Sequence, residues 1–101
     1  MNNLVFLAGA SGNTQFWYPL VAQLPKTYTK QVIAYPSFHG VAAHPDINSF
    51  DDLSDYVVEQ IQQPSILIAQ SMGGIFAIKG FQNWVLPDAP GKKTKLFIFI
   101  L

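Results

Sequence analysis

The sequence contains no cysteine and few charged side chains: six are basic and six are acidic among 101 residues. A chain without cysteine forms no disulfide and offers no thiolate to a metal ion, and it is compatible with a reducing compartment. With a formal net charge of zero, it also lacks the field that attracts nucleic acid or an anionic membrane surface. We therefore expect neither nucleic acid nor a membrane among its partners.

Long apolar runs are missing as well, since none approaches the ~18 residues that a membrane-spanning helix needs. The segment Met1–Ala8 has neither a basic n-region nor an apolar run long enough for a secretory signal. These absences favour a cytoplasmic protein. The chain is nevertheless rich in core-forming residues, because half of it is hydrophobic and 14% is aromatic. Residues 1–101 have the length of one small domain, and we predict a single domain.

Four short apolar or β-branched runs predict strands. They are Leu4–Ala8, Gln31–Tyr35, Ile66–Ala69 and Leu96–Leu101. The first run ends at Gly9 and the second at Pro36, and both residue types interrupt regular structure. The runs are short and nearly continuous in hydrophobicity, which is typical of strands covered on both faces.

Segments with apolar residues at helical spacing separate these runs. The first carries Phe16, Trp17, Leu20, Val21 and Leu24 after a Thr14 cap; the second carries Leu53, Tyr56, Val57 and Ile61 after Ser49-Phe50-Asp51-Asp52, which resembles a capping box; the third runs from Met72 to about Asn83 with Ile75, Phe76 and Ile78. We predict that the adjacent aromatic residues Phe16, Trp17 and Tyr18 lie in the core. Strands that alternate with helices predict an α/β fold with a doubly wound, mostly parallel sheet of about four strands.

The most informative segment is Ala69-Gln70-Ser71-Met72-Gly73-Gly74, where a predicted strand turns directly into a helix. A nucleophile elbow holds its serine in such a strained turn, and bulky residues two positions away would collide there. Ala69 and Gly73 meet that demand. The segment therefore predicts Ser71 as a catalytic nucleophile.

Backbone N–H groups close to Ser71 are candidates for an oxyanion hole. Ser71 precedes a predicted helix, whose N–H groups and dipole favour developing negative charge, and the Met72 N–H is the first donor. The second donor is expected from the loop after the first strand, Gly9-Ala10-Ser11-Gly12-Asn13. We assign it to the N–H of Ala10.

These motifs resemble those of the α/β-hydrolase superfamily, especially its small esterase-like members, over essentially the whole chain. Leu4–Gly12 resembles the strand and His-Gly loop that open the family's core. Pro36-Ser37-Phe38-His39-Gly40 resembles its Pro-Gly-x-Gly loop, and Ala69–Gly74 resembles its elbow. Ala8 stands in place of the histidine of the His-Gly pair, and Ala69 in place of the elbow's first glycine.

The resemblance implies a strand order, a reaction and a substrate class. The Leu4 strand would lie between the strands of Gln31 and Ile66, and the Leu96 strand would be outermost. Ser71 would hydrolyse an ester-like bond in a small-molecule substrate through a serine-bound intermediate, without a cofactor or a metal ion. The resemblance also implies that pocket and lid residues, which select the substrate, lie largely after Leu101.

A complete catalytic triad is not visible. In the family the acid and then the histidine follow the serine on loops after later strands, and Asp88 comes too early for the acid. His39 and His44 both precede Ser71, so we interpret them as loop residues rather than as the general base. We expect a partial α/β-hydrolase fold, and a truncated, weakly active or inactive portion of a serine hydrolase.

Two other interpretations stay open. The chain could be a non-catalytic truncated scaffold, or one half of a split protein. Alternatively, the loop that begins at Gly9 resembles the glycine-rich turn of Rossmann-type NAD(P)-binding proteins. Against that resemblance, Gln15 occupies the third glycine position, and the next strand ends in Tyr35-Pro36 without an acid for the ribose.

Three further groups of residues are interpreted without a catalytic role. His39, His44 and Asp46 share no helical face, so no metal site is predicted. Pro87–Gly91 and the lysines that follow, Lys92, Lys93 and Lys95, are predicted to form a solvated loop. Leu96–Leu101 is a run of six apolar residues without a charge or proline, and we expect self-association through it.

Overall fold

Four parallel strands form one sheet in the part of the chain that the structure describes. The structure is a computed structural model that describes residues 3–63, 65–85 and 97–100. Its strands are β1 (Asn3–Leu7), β2 (Thr29–Ile33), β3 (Ile66–Ala69) and β4 (Phe97–Ile100). They follow the order β2-β1-β3-β4, and every neighbouring pair is parallel. This order confirms the prediction of a doubly wound parallel α/β sheet with the first strand inside it.

The strand order also bears on the dinucleotide-binding alternative. The classic Rossmann order 3-2-1-4 places the third strand beside the second. Here β3 lies beside β1, with Leu7 opposite Ala69, while β2 lies on the other side of β1. The connections that follow β1 and β2 therefore lead to opposite sides of β1, as they do at the switch point of a doubly wound sheet.

The second strand differs from its predicted position. It spans Thr29–Ile33 rather than Gln31–Tyr35, because its register with β1 begins at the pair Asn3 and Thr29 and ends at Leu7 and Ile33. Tyr35 consequently lies beyond the sheet, next to the turn that begins at Pro36. That displacement places a tyrosine side chain at the carboxyl edge of the sheet.

Among residues 3–63 and 65–85, three helices and a short 3-10 turn lie between or after the strands. The 3-10 turn spans Thr14–Trp17, and the helices are α1 (Tyr18–Gln23), α2 (Phe50–Glu59) and α3 (Gly73–Val85). The predicted cap Thr14 is wrong, since the Asn13 side chain accepts a hydrogen bond from the Gln15 N–H at 3.0 Å. Asn13 has the extended backbone that a capping residue requires, whereas Thr14 already belongs to the first turn.

The predicted capping motif of the second helix is present. The Ser49 hydroxyl accepts a hydrogen bond from the Asp52 N–H at 3.1 Å, as a capping serine does. The Asp52 carboxylate accepts in return from the Asn48 N–H at 3.0 Å, one residue before the usual partner. Together these bonds fix the start of α2.

The helices cover the two faces of the sheet. On one face, α2 and α3 pack over a cluster of buried residues, which we call the α2/α3 core: Val5, Leu7, Ala8, Ile33, Tyr35, Leu53, Val57, Ile61, Leu67, Ala69, Phe76 and Ala77. On the other face, three buried residues form what we call the α1 core: Leu4, Phe6 and Trp17. Successive residues of β1 alternate between the two cores, as the period of a strand requires.

Two predictions about buried side chains need correction. Trp17 is buried, but Phe16 and Tyr18 are 49% and 53% exposed, because a 3-10 turn followed by a helix does not keep the three rings on one face. On α3, Phe76 is buried as predicted, whereas Ile75 and Ile78 are 54% and 49% exposed. The buried face of that helix also carries small residues, including Ala77 and Gly80.

Some predicted features fall outside the described residues. These are the loop Pro87–Gly91 with Asp88, the lysines 92, 93 and 95, and the end residues Leu96 and Leu101. In the part of the chain that is described, no helix is long and apolar enough to cross a membrane.

Candidate functional site

Ser71 lies in a tight turn between β3 and α3. Its φ of +50° falls in the left-handed region, which a residue with a Cβ rarely adopts, and its side chain is exposed. The Gly73 N–H donates to the Gln70 carbonyl and the Gly74 N–H to the Ser71 carbonyl, both at 2.9 Å. The turn therefore has the strained strand-to-helix geometry that the sequence predicts for a nucleophile elbow.

Gly73 brings the first turn of α3 against the end of β1. A Cβ added to Gly73 would lie 2.6 Å from the Leu7 carbonyl oxygen and 2.8 Å from that of Ala8. Such distances are too short for any side chain, because the neighbouring atoms belong to the backbone. A glycine is therefore required here, and it allows the turn to lie directly over the end of β1.

The loop after β1 faces the same turn. Gly9 lies so close that an added Cβ would be 3.5 Å from the Ser71 Cβ, and the Gln70 N–H donates to the Leu7 carbonyl at 3.1 Å. Ligands of doubly wound sheets bind outside the carboxyl ends of the strands at the switch point. The fold thus brings Ser71 and the Gly9 loop together at that place.

Two N–H groups at this edge are available to a ligand. Among residues 3–63 and 65–85, neither the Met72 N–H nor the Ala10 N–H donates a hydrogen bond to a protein acceptor. Both residues flank the contact between Gly9 and Ser71, and Ala10 is exposed. An oxyanion hole needs such unpaired, fixed donors around one point.

Neither of the two histidines is positioned to serve Ser71 through a hydrogen bond among the described residues. The His44 Nδ1 accepts a hydrogen bond from the Asp46 N–H at 3.1 Å, and its ring lies 5.9 Å from that of Tyr56 on α2. His39 is exposed, with a φ of +46°. Within the described ranges, no hydrogen bond joins either histidine to Ser71.

An acidic cavity lies beside His44, on the outer side of α2. It has a volume of about 260 Å³ and is lined by His44, Asp46, Ile47, Asp52, Asp55, Tyr56 and Glu59. The ammonium of Lys79 pairs with Asp55 at 2.8 Å, and this hydrogen bond raises the pKa of the lysine. Across the described residues, no three histidine, aspartate or glutamate side chains are arranged to hold a metal ion.

A second cavity, of about 310 Å³, lies next to the loop after β2 and carries no charged side chain. Its lining consists of Pro36, Ser37, Phe38, Ile47, Asn48, Ser49, Phe50 and Leu53. A sequence of ring contacts leads from this cavity into the α2/α3 core, because Phe50 stacks on Phe76 at 5.3 Å and Phe76 meets Tyr35 edge-on at 5.2 Å. The cavity thus has no charged lining residue and adjoins the α2/α3 core through Leu53.

Sequence reasoning missed Tyr35. This residue is fully buried, and its hydroxyl donates a hydrogen bond of 2.7 Å to the Ala8 carbonyl. Burial raises the pKa of the phenol well above its ordinary value. The only local signal was a tyrosine directly before a proline, and its partner lies 27 residues earlier in the chain.

Comparison with known proteins agrees with this architecture, although no protein-family model matches the chain. Over 83 residues the chain is 30% identical to a Haemophilus influenzae protein named as a 2-succinyl-6-hydroxy-2,4-cyclohexadiene-1-carboxylate synthase; the match covers 77% of this chain and 33% of the relative. The structure resembles that of the type II thioesterase BorB from the borrelidin biosynthetic cluster, with a TM-score of 0.75 and 20% identity.

That structural likeness covers 97% of this chain and 42% of the thioesterase. The chain therefore spans about a third of the curated relative and less than half of the solved chain. The structural match shows that the fold is shared with that thioesterase over nearly the whole of this chain. The chain thus has the α/β-hydrolase-like fold that its motifs led us to expect.

Proposed function

We propose that Ser71 is the nucleophile of an acyl-transfer reaction, and that the N–H groups of Met72 and Ala10 bind the oxyanion that forms. The observation that carries this proposal is the left-handed backbone of Ser71 at the switch point, held between Gly73 and Gly9. Backbone strain persists only where the surrounding packing determines it, and it is concentrated at functional sites.

The proposed chemistry is attack by the Ser71 Oγ on the carbonyl carbon of an ester or thioester. The leaving alcohol or thiol departs, water then hydrolyses the acyl-serine, and the serine is regenerated. The helix N-terminus at Gly73 contributes to the stabilisation of the oxyanion. An apolar acyl group is compatible with the uncharged cavity beside Phe38 and Phe50. The likeness to a type II thioesterase supports the acyl class.

Reactivity of Ser71 is the direct test. A fluorophosphonate probe forms a covalent adduct with an activated serine, and peptide mass spectrometry locates it. We expect a slow adduct on Ser71, which free imidazole accelerates and which is lost in Ser71→Ala. Ser37→Ala is the matched control, because Ser37 is also exposed and also has a positive φ, of 71°, but does not precede a helix. Labelling that persists in Ser71→Ala, or fails in the unsubstituted chain, would contradict the proposal.

Turnover is expected to be slow, because neither histidine of the chain follows Ser71. Without a general base, an oxyanion hole and substrate binding supply roughly 10³- to 10⁴-fold acceleration over water. Hydrolysis of a p-nitrophenyl short-chain ester should therefore be weak, and free imidazole should increase it in the unsubstituted chain more than in Ser71→Ala. Fast hydrolysis that needs His39 would identify that residue as the base instead.

A second candidate is a reaction at a carbon–carbon bond. The relative at 30% identity is named as a synthase of a cyclohexadiene carboxylate, and this name does not describe a hydrolysis. In that case Ser71 would act at the same place with a carboxylate-bearing substrate. An adduct on Ser71 without any hydrolysis of esters or thioesters, even with imidazole, would favour this candidate.

A further inference from the structure

The loop that supplies the Ala10 N–H contains Gly9, a residue whose backbone dihedral angles are permissive. An oxyanion donor must nevertheless be held within a fraction of an ångström of its position. The orientation of the Ala10 N–H therefore depends on atoms outside the Gly9 residue. Two hydrogen bonds to consecutive carbonyl groups provide that constraint.

The first bond fixes the peptide unit that contains the Ala10 N–H. The Gly9 carbonyl accepts from the Gly12 N–H at 3.0 Å. In a planar trans peptide the N–H of Ala10 points away from the Gly9 carbonyl. Gly12 has a φ of +67°, which the turn requires. The hydrogen bond between Gly12 and Gly9 thus restricts the direction of the Ala10 N–H.

The second bond fixes the preceding peptide unit. The Ala8 carbonyl accepts from the Tyr35 hydroxyl at 2.7 Å, in a fully buried position. The phenol ring has little freedom, because Phe38 and Phe76 pack edge-on against it at 5.9 Å and 5.2 Å. A buried carbonyl without this donor would lack a partner on that side. The hydroxyl therefore acts as a fixed point for the Ala8–Gly9 peptide.

The same carbonyl also touches the elbow. It is one of the two oxygens against which Gly73 packs. The Tyr35 hydroxyl thus contacts the end of β1. The Gly9 loop follows this strand end, and the first turn of α3 packs against it. We propose, on the basis of the proposed function, that Tyr35 is a positioning residue that orients the Ala10 N–H toward the oxyanion at Ser71.

The test is Tyr35→Phe, which removes only the hydroxyl. We expect the carbonyl ¹³C resonance of Ala8 and the amide resonance of Ala10 to shift. We also expect labelling of Ser71 by the fluorophosphonate to slow by about 10- to 100-fold, since small misplacements of catalytic groups have effects of this size. Tyr56→Phe is the matched control, because the Tyr56 hydroxyl forms no hydrogen bond with a described residue. It should change neither readout.

Other outcomes separate this inference from a purely structural role. If Tyr35→Phe lowers stability but leaves the labelling rate of the folded protein unchanged, Tyr35 does not position the donor. If the variant fails to fold, the unsubstituted chain provides the measurement: the Tyr35 hydroxyl proton should be protected from exchange with solvent, and a hydroxyl proton that exchanges freely overturns the inference. If Ser71 takes no label even without substitution, the proposed function fails, and the Ala8 and Ala10 resonances alone decide whether Tyr35 holds this loop.

Discussion

The two faces of the sheet are covered unequally. Among the described residues, the α2/α3 core contains twelve buried residues, whereas the α1 core contains three and is bordered by half-buried side chains. Tyr35 belongs to the α2/α3 core, and Met72, directly after the strained Ser71, packs against it. Backbone strain must be offset by surrounding packing. The candidate site therefore lies where the chain has the packing to hold it.

The largest expected effect comes from Gly73→Ala, because the added Cβ would meet the backbone of Leu7 and Ala8 rather than a flexible side chain. We expect the free energy of unfolding to fall by about 3 kcal/mol or more. Gly80→Ala makes the same change on the same face of α3, but there the nearest atoms are side-chain methyl groups at 3.7 to 3.9 Å.

The control should be close to neutral, or should stabilise the helix by about 0.5 to 1 kcal/mol. Denaturant unfolding monitored by tryptophan fluorescence measures both variants. Equal and small effects at Gly73 and Gly80 would show that α3 does not approach β1 as closely as described.

A pair of identical truncations compares the two faces directly. Val57→Ala on α2 removes two methyl groups from a residue with 0% exposure, and we expect a loss of about 2 to 3 kcal/mol from burial and cavity formation. Val21→Ala on α1 removes the same groups from a half-buried residue, and about 1 kcal/mol or less should be lost. Equal losses in urea unfolding would contradict the unequal covering of the faces.

Local patterns in the sequence were sufficient to predict the start of α2 and the tight turn at Ser71. The Ser49 cap of α2 and the small residues around Ser71 are short-range signals, and both features are present in the structure. The strand order could be predicted only from the family resemblance, since periodicity identifies a strand but not its neighbours.

Features that depend on contacts distant in sequence could not be predicted. The choice of Trp17 over Phe16 as the buried ring depends on a 3-10 turn, whose three-residue period shifts the apolar face. The bond from Tyr35 to the Ala8 carbonyl joins the ends of two neighbouring strands, and nothing in either segment specifies it. The tight turn at Ser71 was therefore predictable from the local sequence, whereas the contact between Tyr35 and Ala8 was not.

Alkaline pH should lower the free energy of unfolding, because the phenol of Tyr35 is buried in the α2/α3 core. Burial raises the pKa of this phenol in the folded protein above the ordinary value of 10.0, so the unfolded chain releases the proton first. The contribution to stability is complete below about pH 10 and is lost as the pH rises toward the folded pKa. One proton of difference between the two states corresponds to at most about 1.4 kcal/mol per pH unit.

Denaturant unfolding between about pH 8 and 11 measures this loss, and Tyr35→Phe removes the group responsible. We expect the stability of the variant to decline less steeply above about pH 10 than that of the unsubstituted chain. Parallel declines would mean that the Tyr35 phenol is not buried in the folded protein.

The smallest expected effect, and the one that bears most directly on the site, has the opposite sign. Ser71→Gly relieves the left-handed backbone of the turn, which costs about 1 to 2 kcal/mol for a residue with a Cβ. The greater freedom of glycine in the unfolded chain offsets roughly 0.5 to 1 kcal/mol of that gain. We therefore expect Ser71→Gly to raise the free energy of unfolding by about 0.5 to 1 kcal/mol while abolishing fluorophosphonate labelling.

Ser11→Gly is the control, because Ser11 is an exposed serine of the neighbouring loop without a positive φ, and there glycine should destabilise the chain slightly. Equal changes in the two variants, measured by thermal and urea unfolding, would show that Ser71 is not strained and would remove the main structural support for its proposed role as a nucleophile.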